Sequence, residues 1–130
     1  MTRPFVSLVI PVFNEAETLN ATITRVREAL RRVNWEIIFV NDGSLDKSEE
    51  ILDRLATLHS EVKVVHLRRN FGQTAAMMAG FDFASGDVII PMDGDGQNDP
   101  EDIPRMLAKE SPFHVPSSTR RDGQRNRTKS

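Results

Sequence analysis

The sequence predicts an α/β fold in which helices cover both faces of a parallel β-sheet. Short apolar runs rich in β-branched residues alternate four times with segments that carry apolar residues at helical spacing. Strand–helix alternation of this kind is typical of a parallel sheet, whose crossover helices pack on its faces. With right-handed crossovers that reverse direction once, we expect the strand order 3-2-1-4.

The first predicted strand begins at Phe5 and is ended by Pro11. Asn14 is expected to cap the helix that follows, with Glu17 as its capping-box partner. The apolar stripe of this helix consists of Leu19, Ile23, Val26, Leu30 and Val33. Arginines lie largely between these positions, which predicts a solvated outer face.

The later elements are predicted in the same way, from apolar periodicity and its interruptions. In order, they are a strand at 35–40, a helix at about 47–59, a strand at 62–67, a helix at 73–84 and a strand beginning at Val88. Asp99 is expected to cap a further helix, with Pro100 at its first position.

Composition limits the function classes. The chain has 130 residues, a formal charge of −2 and no cysteine, so disulfides and thiolate metal sites are excluded. It contains no apolar run near the roughly 18 residues that a membrane span requires. We therefore expect a cytoplasmic protein, at most associated with the cytoplasmic face of a membrane. His59, His66 and His114 show no metal-binding spacing.

The chain divides by composition into two parts. A domain is predicted over residues 1–109, followed by a basic tail at 110–130 that is poor in apolar side chains. Such a tail buries too little surface to offset its ordering entropy, so we expect it to be disordered.

Two aspartates directly after the fourth predicted strand form the most informative pattern. Asp93 and Asp95 would repel each other unless a positive charge lay between them, and a divalent cation holding a diphosphate meets that need. Gly94 and Gly96 allow close approach of a ligand to the backbone. Gln97 adds a neutral oxygen that suits a hard metal.

Three polar clusters follow predicted strands and should meet at one edge of the sheet. They lie at 11–15 after strand one, at 41–44 after strand two and at 93–97 after strand four. With the strand order 3-2-1-4, the crevice opens between the carboxyl ends of strands one and four, where ligands bind in open α/β sheets.

These motifs together resemble the amino-terminal half of a family 2 glycosyltransferase, specifically the polyprenyl-phosphate (dolichol-phosphate mannosyltransferase-like) group. The resemblance covers about residues 5–109. The matching stretches are Val9-Ile10-Pro11-Val12-Phe13-Asn14-Glu15, Phe39-Val40-Asn41-Asp42-Gly43-Ser44, Arg69-Asn70-Phe71-Gly72-Gln73-Thr74 and Met92-Asp93-Gly94-Asp95-Gly96-Gln97.

The resemblance implies a GT-A fold and transfer of a sugar from a nucleotide diphosphate sugar, GDP- or UDP-linked, to a polyprenyl or dolichyl phosphate or another glycan acceptor. It implies nucleotide binding by Pro11, Phe13, Asn14, Glu15, Val40, Asp42, Asp93 and Gly94. It also implies that Asp93, Asp95 and Gln97 bind Mg²⁺ or Mn²⁺. The catalytic base is expected to lie outside this chain.

The sequence departs from the family pattern in three ways. Asn41 stands where the family usually has an aspartate, and Gly94 stands where it often has an alanine. No acceptor-binding residues are recognisable after Lys109. We therefore expect a truncated domain. The expected partners are a nucleotide-diphosphate sugar and a lipid-phosphate acceptor at the membrane surface, without nucleic acid. Self-association is also expected, through apolar surface exposed on strand four or on the face that the absent half normally covers.

Other interpretations of the same residues remain open. The chain could be an inactive remnant that binds nucleotide without transferring sugar. It could also be a phosphoryl-transfer enzyme with Asp93 as nucleophile, although that nucleophile is expected after the first strand. A calcium loop starting at Asp93 would require Gly and Glu where the chain has Asn98 and Pro104. No Gly-Lys-Ser/Thr sequence indicates a P-loop.

Overall fold

The computed structural model describes residues 4–93 and 99–107. Four strands and four α-helices alternate through this part of the chain. In order they are β1 (Phe5–Val12), α1 (Leu19–Ala29), β2 (Asn34–Asn41), α2 (Ser48–Leu58), β3 (Val62–His66), α3 (Gln73–Phe83), β4 (Val88–Pro91), a 3₁₀ turn (Pro100–Asp102) and α4 (Ile103–Leu107). The predicted tail at 110–130 lies outside the described residues.

The sheet confirms the predicted topology. Its four strands are parallel in the order β3-β2-β1-β4, so β1 pairs with both β2 and β4. Each crossover helix returns the chain to the same end of the sheet. The loops that follow β1, β2 and β4 therefore emerge side by side at the carboxyl edge.

Helices cover the two faces of the sheet unequally. Residues of α1, α2 and α4 pack on one face, where Leu8, Ile37 and Phe39 are fully buried. On the other face α3 packs against Val9 and Val40. This second contact is close because α3 presents small residues to the sheet.

The start of α1 differs from the prediction. Asn14 does not cap it, and the helix begins at Leu19, after Thr18. The Asn14 side chain instead accepts hydrogen bonds from the backbone N–H groups of Leu45 and Asp46, at 2.7 and 3.3 Å. Asn14 thus bonds to the loop after β2 instead of to the first turn of α1. The helix also ends at Ala29, so Val33 packs against the core from beyond its end.

The last described elements agree with the predicted cap. The Asp99 side chain accepts from the Glu101 N–H at 3.0 Å, and Pro100 stands at the first position of the turn. The turn is 3₁₀ before it continues as α4.

The expectation that strand four exposes apolar surface is wrong for the described residues. Val88, Ile89 and Ile90 of β4 are each at most 8% exposed. Ile103 of α4 joins the cluster that buries Val88 and Ile90, while Ile89 packs on the α3 face.

Candidate functional site

A cleft of about 520 Å³ opens at the carboxyl edge of the sheet, where the loops after β1, β2 and β4 meet. Its lining consists of Pro11, Val12, Phe13, Glu15, Asp42, Asn70, Gly72, Gln73 and Asp93. Residues from all three polar clusters that the sequence placed at one edge therefore line this cleft, with Asp93 as the described member of the third. The segment between β3 and α3 contributes to the same cleft.

Some of the predicted site residues lie elsewhere. Val40 is fully buried in the sheet rather than part of the cleft lining, and Asn14 lines a neighbouring hollow. Gly94, Asp95 and Gln97 lie outside the described residues, so the predicted metal ligands at those positions stay predictions.

Asp42 is the most deeply buried acid of the cleft, with 2% of its surface exposed. Its Oδ1 accepts from the backbone N–H of Phe71 at 2.8 Å. Its Oδ2 accepts from the Gly72 N–H at 3.1 Å and from the Asn70 side-chain amide at 3.2 Å. The carboxylate thus anchors the chain just before α3, a role that the sequence did not reveal.

A close backbone contact supports the same anchorage. Gly43 adopts φ +72°, and a Cβ placed there would lie 2.4 Å from the backbone of Arg69 and Asn70. A side chain at this position would push the β3–α3 segment away from the turn that follows β2. Glycine is therefore required both for the conformation and for the approach.

Asp93 stands across the cleft from Asp42, after β4. It is half-buried, and its Oδ1 accepts from the Gln73 side-chain amide at 3.1 Å. Sequence reasoning did not assign Asn70, Gly72 or Gln73 to the site. These residues could have been assigned from the Arg69–Thr74 motif, which is one of the four stretches that match the family.

Hydrogen bonds join the loop after β1 to the loop after β2 and to the start of α2, and they fix this wall of the cleft. The backbone N–H groups of Asn14 and Glu15 donate to the hydroxyls of Ser44 and Ser48, at 3.0 and 3.1 Å. Phe13, which precedes them, leaves 44% of its surface exposed beside the cleft. An exposed aromatic ring offers a flat apolar surface to a planar ligand.

A second polar group lies beside the cleft, at the ends of β2 and β3. Asn41 Oδ1 accepts from the Ser44 N–H, so its amide nitrogen must donate to His66 Nδ1, 3.0 Å away. His66 Nε2 then carries the proton and donates to Asp53 at 2.7 Å. The neutral tautomer of His66 is therefore fixed by its neighbours.

One possible ligand atom from each of Glu49, Asp53 and His66 lies within 4.8 Å of the other two, although the histidines showed no metal-binding spacing in sequence. To bind a cation, His66 Nε2 would have to lose the proton that it donates to Asp53, and Nδ1 would face the Asn41 amide as a second donor. Glu49 and Asp53 are exposed as well. This hydrogen bonding disfavours a metal at the cluster.

A larger hollow of about 750 Å³ lies at the opposite, amino-terminal end of the strands, next to Trp35, Arg27 of α1 and Arg31. Ligands in open α/β sheets bind beyond the carboxyl ends of the strands. The cleft between Asp42 and Asp93 is therefore the candidate site.

Comparison with known proteins agrees with this placement. The family model described as glycosyl transferase family 2 matches residues 7–115. The chain belongs to glycosyl transferase family 2. Its four-stranded sheet and carboxyl-edge cleft are accordingly those of a family 2 domain.

Curated relatives of this family 2 chain include proteins named undecaprenyl-phosphate 4-deoxy-4-formamido-L-arabinose transferase. The protein from Pectobacterium carotovorum is 50% identical over 105 residues, which is 78% of this chain and 32% of the relative. The protein from Salmonella choleraesuis is 44% identical over 123 residues, which is 92% of this chain and 38% of the relative. The chain thus spans about a third of these relatives' length.

Solved structures of more distant proteins share the fold. The mannosyltransferase PcManGT from Pyrobaculum calidifontis, in complex with GDP-Man and Mn²⁺, matches with a TM-score of 0.68 and 21% identity, covering 78% of this chain and 30% of that one. S. aureus TarS matches with a TM-score of 0.62 and 21% identity, covering 79% and 31%. This likeness supports the GT-A fold of the family 2 domain.

In the part of the chain that the structure describes, no helix has the length and apolar character needed to cross a bilayer.

Proposed function

We propose that the chain forms the donor-binding part of a metal-dependent glycosyltransferase. In this proposal the cleft binds a nucleotide diphosphate sugar, UDP- or GDP-linked, whose sugar is transferred to a polyprenyl phosphate. The observation that carries it is the meeting of Asp42, Asp93 and Phe13 in one cleft at the carboxyl edge of a family 2 sheet.

The residues of the cleft suit the parts of such a donor. Phe13 offers an exposed ring and Pro11 an apolar wall to the base, and the predicted contacts of Glu15 and Asn14 would lie on the same side. Buried Val40 would form the floor beneath the base, and Asp42 would contact the base while it anchors the β3–α3 segment. Asp93 on the opposite wall would then face the ribose and diphosphate, with Gly94 beside it.

The metal proposal rests on the donor chemistry of Asp93. Its carboxylate lies on the cleft, and hard oxygen ligands suit Mg²⁺ or Mn²⁺. With Asp95 and Gln97 as the further ligands proposed from the sequence, the cation would neutralise charge on the leaving diphosphate. One solved structural neighbour was determined with GDP-Man and Mn²⁺, which is in keeping with this choice.

The acceptor proposal comes from the curated relatives, whose printed name specifies undecaprenyl phosphate. A lipid phosphate is held at a membrane surface. We therefore propose that the domain works at the cytoplasmic face of a membrane.

Isothermal titration with UDP, GDP, UDP-sugars and GDP-sugars, each with and without Mn²⁺, tests the donor proposal. We expect binding that depends on Mn²⁺ and is weakened at least about tenfold by Asp93→Ala, because loss of even an outer-shell partner of a metal typically costs that much. Glu50→Gln, an exposed carboxylate on α2, is the matched control. The proposal would be rejected if the folded protein bound none of these ligands, or if Asp93→Ala left their affinity unchanged.

Binding and transfer are separate questions for a chain that spans about a third of its relatives' length. A chain that bound Mn²⁺ and nucleotide but moved no sugar to undecaprenyl phosphate in vesicles would be a binding domain without transferase activity. Measured transfer or donor hydrolysis would rule that alternative out.

A further inference from the structure

One short segment connects the acidic groups on the two walls of the cleft. Residues 69–73 form the last part of the connection between β3, which ends at His66, and α3, whose first residue is Gln73. The middle of this 69–73 segment is anchored on Asp42, after β2, and its last residue, Gln73, contacts Asp93, after β4. In the strand order β3-β2-β1-β4, the segment therefore spans the end of β1.

The anchorage at Asp42 is strong for physical reasons. Hydrogen bonds from the Phe71 and Gly72 N–H groups and the Asn70 amide converge on one buried carboxylate, with lengths between 2.8 and 3.2 Å. Phe71 and Gly72 directly precede α3, so the negative charge also lies at the positive end of the helix dipole. Asp42 thereby fixes the place where α3 begins.

The contact at Asp93 is the consequence of that placement. Gln73 is the first residue of α3, and its side-chain amide donates to Asp93 Oδ1 at 3.1 Å. A carboxylate accepts hydrogen bonds and donates none, so the amide nitrogen of Gln73 must be the end that faces it. A movement of the helix start would withdraw this donor and leave Asp93 with one fewer restraint.

We propose that Asp42 and Gln73 are positioning residues for the cation–diphosphate half of the site, acting through the 69–73 segment on the carboxylate of Asp93. The proposal rests on the proposed function and goes beyond it, because it assigns to Asp42 an effect on the wall opposite to its own. A role for Asp42 in base binding alone would confine its effect to the nucleoside.

The link itself can be tested without any ligand. In ¹H–¹⁵N spectra of the free chain, we expect Asp42→Asn and Asp93→Asn each to shift the side-chain amide signals of Gln73. Asp42→Asn keeps the size of the side chain but turns one acceptor oxygen into a donor that faces other donors. Glu50→Gln is the matched exposed control and should leave the Gln73 signals in place.

The consequence for the site is tested by Mn²⁺ titration in the presence of UDP or GDP, beside titration with uridine or guanosine alone. Gln73→Ala, at an exposed position, is expected to weaken Mn²⁺ binding about tenfold, as for loss of an outer-shell partner. Nucleoside binding should be unchanged. Thr74→Ala, the next exposed position, is the control.

The outcomes separate this proposal from the function on which it rests. If Asp42→Asn left the Gln73 side-chain signals unchanged, the link between the two residues would be overturned. If Gln73→Ala left the Mn²⁺ affinity unchanged, the positioning role would be overturned. A wild-type chain that bound neither Mn²⁺–UDP nor Mn²⁺–GDP would instead overturn the proposed function. The NMR measurement would still decide whether Asp42 positions Gln73 through residues 70–72.

Discussion

The buried side chain of Glu36 forms polar contacts that join strands and a turn of the sheet. Glu36 of β2 is 2% exposed. Its Oε2 accepts from the Ser7 hydroxyl at 2.6 Å and the Ser85 N–H at 2.7 Å, and Lys63 Nζ lies 2.6 Å from its Oε1. The Ser7 hydroxyl oxygen also accepts from the Gly86 N–H. This group fixes the turn before β4, and with it the register of the strand that leads to Asp93.

Replacing Glu36 should therefore destabilise the domain strongly. We expect Glu36→Ala to lower the free energy of unfolding by about 2–4 kcal/mol, because it leaves the Ser7 hydroxyl and the Ser85 N–H without their acceptor, while the half-exposed Lys63 ammonium can be solvated. Glu36→Gln, which retains an acceptor, should lose roughly half as much. Urea denaturation measures both values, with Glu50→Gln as the exposed control. Equal stability of Glu36→Ala and the control would contradict this account.

At the scale of elements, the contact of α3 with the sheet depends on one glycine. A Cβ at Gly80 would lie 2.3 Å from Val9 Cγ1 and 2.9 Å from Val40 Cγ2. Helix α3 can approach β1 and β2 this closely because that methyl group is missing. The position of its first residue in the cleft follows from the same approach.

We expect Gly80→Ala to destabilise the domain by about 1–3 kcal/mol through overpacking, despite alanine's better helix propensity. The start of α3 should also shift, which amide signals of residues 71–73 would report. Ala75→Gly, at an exposed position of the same helix, measures the propensity term separately. If Gly80→Ala raised the stability, the tight contact would be refuted.

The two loops on the other wall of the cleft are joined through Asp46. Its carboxylate accepts from the N–H groups of Ala16 and Ser48, at 3.2 and 2.9 Å. Burial alone would raise the pKa of Asp46, but hydrogen bonds from Ser48 and Ala16 hold the pKa below its ordinary value of 3.8. The folded state therefore favours the ionised carboxylate.

A folded-state pKa below the unfolded value means that this stabilisation is present above the unfolded pKa of 3.8 and is lost as the pH falls through the folded value. Asp46→Asn should lower stability at neutral pH by less than about 1 kcal/mol, because the group is exposed and screened. The difference from wild type should disappear below the folded pKa. Urea titrations across this range would contradict the account if the difference grew with acidity.

At the scale of the whole molecule, topology decides where the cleft lies and which edges remain. Within the described sheet, β3 and β4 are the edge strands, and β4 has only four residues. Short edges limit strand addition, and the side chains of β4 are buried. Large apolar side chains are exposed elsewhere, at Leu45, Leu58 and Met78.

Self-association stays a prediction, now based on the β3 edge and on scattered exposed apolar side chains instead of an exposed face of β4. We expect the weight-average sedimentation coefficient to rise with protein concentration. The rise should persist at high salt, because apolar contacts and backbone pairing are screened less than surface charges. A constant sedimentation coefficient across the soluble range would contradict the prediction.

Much of the fold was predictable because its signals are local. Alternating apolar runs located all four strands to within a residue or two, and the right-handed crossover rule then gave the order β3-β2-β1-β4. The same order brought the loops of Phe13, Asp42 and Asp93 to one edge. Motif spacing indicated the family, which the comparison with known proteins confirms.

The sequence by itself therefore determined the topology, the edge that carries the cleft and the family, since apolar periodicity and motifs are properties of short stretches and the handedness of the crossovers then restricts the strand order. Only the tertiary structure decided the partners of individual polar groups. Asn14 does not cap α1 but accepts a hydrogen bond from Leu45, 31 residues further along the chain. Asp42 accepts hydrogen bonds from the two residues that precede α3. Several donors can satisfy one acceptor equally well in an unfolded chain, and packing of the helices on the sheet selects which of them it meets.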